Sequence, residues 1–71
     1  MAEFKDRIKQ LRLDKKLLQK DLAEYLEITV RAYQYYEAGT NFPDFKGLQK
    51  LADYFQVSVD YLMGRDNPPT M

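Results

Sequence analysis

QKDLAEYLEITVRAYQYYEAG, residues 19–39, decides how the rest of the chain is read. Within it Leu22, Ala23 and Leu26 recur at helical spacing and predict one short helix starting at Gln19. A helix of about eight residues does not hold together by itself in water, so this one must pack against a neighbour. That neighbour comes next. Thr29 has a hydroxyl suited to accept the N–H two or three residues on, so a new helix starts near Val30. Ala32, Tyr33 and Tyr36 share one of its faces, and Gly39, free to turn left-handed, stops it. The opposite face carries Arg31, Gln34 and Tyr35.

Reading outward, Phe4, Ile8 and Leu11 lie among charged residues at helical spacing, predicting an amphipathic helix over about residues 3–14. Past Gly39, TNFP is a loop, since Pro43 lacks an N–H and pushes the residue before it out of helical geometry. Asp44 then caps a fourth helix, FKGLQKLADYF, whose apolar face is Phe45, Leu48, Leu51, Ala52 and Phe55. Gly47 inside it is expected to cost about 1 kcal/mol. Ser58 caps a last short helix, with Asp60 in its first turn and Gly64 at its end. The polar, Pro-rich residues 65–71 are expected to form a flexible tail behind one domain over 1–64. The fold class is all-α, five helices with short connections.

Composition narrows the function classes. With no Cys and no His, the 71 residues hold neither a disulfide nor a zinc site, so no metal and no cofactor is expected and packed apolar side chains must supply cohesion. Without His or Cys, and with Ser58 as the single serine and better used as a cap, no nucleophile and base can be assembled. The chain reads as no enzyme. No run approaches the roughly 20 apolar residues of a membrane span, and MAEFKDRIKQ lacks a signal-peptide core. A soluble, cytoplasmic protein without a membrane partner is expected. Net charge is zero, but residues 1–20 carry plus four and the remainder minus four. A solvated helix face accounts for that split as well as a polyanion partner does.

Two short helices joined by three residues, Glu27 to the Thr29 cap, have helix-turn-helix spacing. In that motif the second helix lies in the major groove with its N-terminal residues at base edges. Ala23 must then be small at the crossing, Ile28 apolar beneath the turn, and Tyr33 interior. An αα corner of another kind has the same spacing. The wider pattern is more specific: IKQLR (8–12), QKDLAEYL (19–26), Tyr36-Glu37 with Gly39, Pro43, then LQKLADYFQVSVDYL (48–62). Residues 7–64 resemble the lambda-repressor-like helix-turn-helix family, the phage repressor and Cro type of transcriptional regulator. The resemblance implies a five-helix domain that binds a double-stranded operator of two-fold symmetry as a homodimer, in the cytoplasm, to control transcription.

Carried over by position, the resemblance assigns Val30, Arg31, Gln34 and Tyr35 to base edges. It assigns Gln19, Arg12, Lys20, Thr40 and Asn41 to the DNA backbone, with Arg12 held by an ion pair to Glu37. Arg31 suits the two acceptors of guanine, Gln34 the acceptor and donor of adenine, and Val30 a thymine methyl. The competing readings stay open: Arg31 or Gln34 as solvated residues, Gln19 as a plain first-turn residue, Arg12–Glu37 as a structural pair. Tyr33 and Tyr36 read as core. Three positions depart from the family pattern, Leu18 for a capping Ser or Thr, and Lys16 and Glu27 where Gly is usual. The apolar content of Val59, Tyr61, Leu62 and Met63 suggests that the last helix and the tail make the dimer. A rival from another class is a protein-binding module, an antitoxin or adaptor whose surface aromatics, Tyr35 and Phe42, meet a partner.

Overall fold

The computed structural model describes residues 3–65. Its five helices are α1 (Phe4–Asp14), α2 (Gln19–Leu26), α3 (Val30–Ala38), α4 (Phe45–Phe55) and α5 (Val59–Leu62), with no strand among the described residues. α2 packs on α3, α1 on α3 and α5, and α4 on α5. The expected tail falls, apart from Arg65, outside the described residues.

Every helix sends at least one side chain into a common core. Ile8 of α1, Leu22 of α2, Tyr33 of α3, Leu51 of α4 and Leu62 of α5 are completely buried. Truncating such a leucine to alanine costs about 2–5 kcal/mol. Ala23, also buried, lets α2 and α3 approach, and Ile28 under the turn packs against the same cluster. α1 reaches α3 through the Phe4 ring, edge-on to Tyr36 at 6.5 Å between centroids, and reaches the loop after α3 through a tilted contact with Phe42 at 5.5 Å.

The helix starts follow their caps. Thr29 Oγ1 accepts from the Ala32 N–H at 3.0 Å, Asp44 Oδ1 from the Gly47 N–H at 2.8 Å, and Ser58 Oγ from the Tyr61 N–H at 2.9 Å. Leu18 offers no acceptor to α2, but the reverse half of a capping box is present: its own N–H donates to Asp21 Oδ2 at 2.7 Å. Three non-glycine residues turn left-handed at or beyond helix ends, Lys16 (φ 58°), Glu27 (φ 61°) and Gln56 (φ 58°). Lys16 and Glu27 are two of the three departures noted in the sequence, while the left-handed turn at Gln56 was not foreseen there.

One sequence expectation gives way. Phe45, assigned to the apolar face of α4, is 72% exposed, because it occupies the first helical position and its turn projects past the edge of the core. In α5, Leu62 is core, Val59 packs on it, and the Tyr61 ring lies under the Arg7 guanidinium at 4.2 Å. Of that group Met63 is exposed and Val59 and Tyr61 are half-buried, so part of the apolar surface of the last helix stays uncovered in one chain.

Candidate nucleic-acid interface

Glu37, in the last turn of α3, is the centre of the site. Its carboxylate receives four donors from three helices. Oε2 accepts from Arg12 Nε at 2.7 Å and from the Tyr33 hydroxyl at 2.6 Å. Oε1 accepts from Arg12 Nη2 and from Gln19 Nε2, each at 3.1 Å. The Arg12 fork is therefore bidentate, the strongest geometry for such a pair. Arg12 Nη1 also donates to the Leu17 carbonyl at 3.0 Å, tying α1 to the segment that enters α2.

The pair lies largely out of water, with side chains 11% and 5% exposed for Arg12 and Glu37. Burial alone would raise the Glu37 pKa, but hydrogen bonds from Arg12, Tyr33 and Gln19 outweigh it and hold the carboxyl below its usual value. Burial, reinforced by the adjacent carboxylate, pushes the Tyr33 phenol far above its ordinary value, so it stays a donor. The hydrogen bond to Glu37 likewise raises Arg12.

From Glu37 the network runs outward to the surface. Gln19 gives Nε2 to Glu37, and its Oε1 accepts from Gln34 Nε2 at 3.2 Å. Lys9, Arg12, Leu18, Gln19, Gln34 and Glu37 line one open depression between α1, the start of α2 and the end of α3. Lys20 is exposed in the first turn of α2. Val30, Arg31 and Tyr35 are exposed on the outer edge of α3, beside Gln34. Thr40 and Asn41 are exposed where α3 ends, their N–H groups turned back to the Tyr35 carbonyl at 3.0 and 3.3 Å. The residues assigned from sequence thus fall into a linked group (Arg12, Gln19, Gln34, Glu37) and a ring of exposed ones without a common hydrogen-bond network.

A helix-turn-helix model matches residues 8–62, most of the described chain. The chain belongs to the helix-turn-helix family. It is 42% identical over 60 residues to an uncharacterized HTH-type transcriptional regulator, YqaE, of Bacillus subtilis, covering 84% of this chain and 52% of that protein. To the HTH-type transcriptional activator BcrR of Enterococcus faecalis it is 32% identical over 69 residues, 97% of this chain and 34% of the relative. The chain therefore spans about half, or less, of the length of these curated relatives. Among solved structures, the P22 c2 repressor in complex with a synthetic operator superposes with a TM-score of 0.84 at 26% identity, covering 93% of this chain and all of that one. The family is one of transcriptional regulators, not of enzymes.

Three features of the site escaped the sequence. Tyr33 was legible as core, but its hydroxyl bond to Glu37 was not, although the two stand four apart on one helix and so share a face. Lys9, one turn before Arg12, lines the same depression. The tether from Gln34 to Gln19 joins helices and has no signature in spacing. No described helix is long and apolar enough to cross a membrane, and no cluster of metal-ligating residues occurs among the described ones.

Proposed function

We propose that this helix-turn-helix domain is a sequence-specific reader of double-stranded DNA that lays α3 in the major groove and represses transcription. The observation that carries this reading is the shared surface of α1, α2 and α3. The exposed edge of α3 (Val30, Arg31, Gln34, Tyr35) adjoins a depression that holds Lys9, Arg12 and Gln19. Cations and amide donors beside an exposed helix edge suit a strand of phosphates flanking a groove. Lys20, Thr40 and Asn41 extend the backbone set on either side, and Lys9 joins it. Arg12 has five N–H donors, three of them engaged within the protein, so its guanidinium is oriented before any phosphate arrives.

Repression is the sign we favour because occupying an operator that overlaps a promoter excludes other proteins by bulk alone. Activation needs a second contact surface. The likeness to an operator-bound repressor supports this choice, and the activator among the relatives makes it a point for measurement. A two-fold operator, a homodimer of the Cro-like kind and a cytoplasmic location complete the proposal.

Selecting bound fragments from random DNA tests it. One recurring palindromic site is expected, with sedimentation showing two chains per site. Arg31→Ala should relax the preference at one base pair in each half-site, by about 1–3 kcal/mol. Equal recovery of all sequences by both proteins would remove sequence reading by α3. In a reporter strain, expression from a promoter carrying the selected site should fall when the protein is present; a rise makes it an activator.

A second reading draws on Phe42 and Phe45, 57% and 72% exposed on either side of Pro43. Such aromatics suit a protein partner. An aromatic interface keeps its affinity as salt rises, whereas DNA binding weakens steeply.

A further inference from the structure

Glu37 is ionised, and a carboxylate can only accept hydrogen bonds. That one-sidedness propagates. Gln19 must turn Nε2 inward to Glu37 (3.1 Å), because the opposite rotamer would set its carbonyl oxygen against the carboxylate. Its Oε1 therefore faces outward, where Gln34 Nε2 donates to it at 3.2 Å. One N–H of Gln34 is thereby engaged, and the outward edge of its amide keeps the second N–H together with the carbonyl oxygen. One donor and one acceptor side by side match adenine, which offers the N7 acceptor and the N6 donor in the major groove. Were Gln19 reversed, Gln34 would turn its oxygen inward and present only N–H donors, the match for the N7 and O6 acceptors of guanine.

We propose that Glu37 and Gln19 choose the base read by Gln34, adenine rather than guanine, by fixing which end of the Gln34 amide faces outward. Both are positioning residues, and neither needs to touch the base. The inference rests on the reading of α3 as the base-contacting helix. It makes the sequence preference depend on a buried charge one turn away. Arg12 and Tyr33 take part only by saturating the other positions on Glu37, leaving Gln19 one orientation.

The test is selection from random duplex DNA with four proteins: wild type, Gln34→Ala, Gln19→Met and Gln19→Lys, each first checked for helical content and cooperative melting. Gln34→Ala identifies the base pair concerned as the one whose preference disappears. At that pair wild type should favour adenine over guanine by about tenfold or more. Gln19→Met, which cuts the relay but leaves the Arg12–Glu37 pair intact, should bring adenine and guanine within about twofold of each other. Lysine at position 19 can only donate, so it satisfies Glu37 and draws the Gln34 oxygen inward; Gln19→Lys should move the preference towards guanine. Preferences elsewhere in the site should not change.

Adenine preference unaltered in both position-19 variants overturns the inference, as does guanine preference in wild type. Affinity falling equally for all sequences in Gln19→Met also overturns it, since Gln19 would then serve as a phosphate clamp alone. If Gln34→Ala alters no base preference, the relay has no reader and the inference fails while reading by Arg31 stands. If wild type selects no sequence at all, the proposed function fails with it.

Discussion

At the scale of single residues, the bidentate, largely buried bond between Arg12 and Glu37 ties stability to pH. Removing one partner leaves the other buried and uncompensated, which costs about 3–5 kcal/mol. A domain of this size has little more than that in total. Arg12→Met and Glu37→Leu should therefore each be largely unfolded in mild denaturant, while the double variant should recover a substantial part of the loss. Urea melts of the four proteins measure this coupling, and additive losses would contradict it. The sign of the pH effect follows from the direction of each shift. Glu37 is held below its ordinary value of 4.5, so its contribution is complete above that pH and drains away as pH falls further. Tyr33 is raised, so its contribution is complete below its ordinary value of 10.0 and is lost as pH climbs beyond it. Thermal melts from pH 2 to 6 should show a steeper acid decline in wild type than in the Arg12→Met, Glu37→Leu double variant. Parallel curves would mean that other carboxylates carry the acid transition.

At the scale of elements, caps and apolar spacing made the helices legible, and contacts between helices made the exceptions. Thr29, Asp44 and Ser58 each sit one residue before a helix, and their hydroxyl or carboxylate oxygens do what their types imply. Gly47 is different. Propensity alone values it as a weakness, yet a Cβ there would come within 2.8 Å of Pro43 Cβ, and Pro43 is buried. Gly47→Ala should thus destabilise by about 1 kcal/mol or more through overpacking, against the gain that helix propensity would give. The opposite holds at Glu27, where a left-handed conformation is carried by a residue with a Cβ. Glu27→Gly should stabilise by up to about 1 kcal/mol, the relief of strain exceeding the added chain entropy. Melting temperatures that move the other way in either variant would refute the corresponding argument. Phe45 shows why spacing misleads at a helix end: the period continues into the first turn, but the core does not extend that far.

At the scale of the whole molecule, the five-helix order and the α2–α3 corner were readable because α1 to α4 each carry an apolar period, Thr29, Asp44 and Ser58 mark starts, and Gly39 and Gly64 mark stops. The network that links Glu37 to Gln34 was only partly readable. The resemblance supplied Arg12, Gln19 and Glu37 as partners of DNA or of each other, but bonds from Tyr33 and to Gln34 depend on how three helices meet. Net charge of zero also hid an uneven distribution, residues 1–20 carrying plus four and residues 21–71 minus four. DNA binding by such a surface must be strongly salt-dependent, with log K falling linearly in log salt by about 0.9 for each phosphate neutralised. The most direct measurement is a titration of wild type and Arg31→Ala against a selected duplex and a scrambled one across a range of salt. A steep negative slope is expected for both proteins, and a preference of wild type for the selected duplex that shrinks by about tenfold in Arg31→Ala. Binding indifferent to salt, with both duplexes held equally by both proteins, would contradict it.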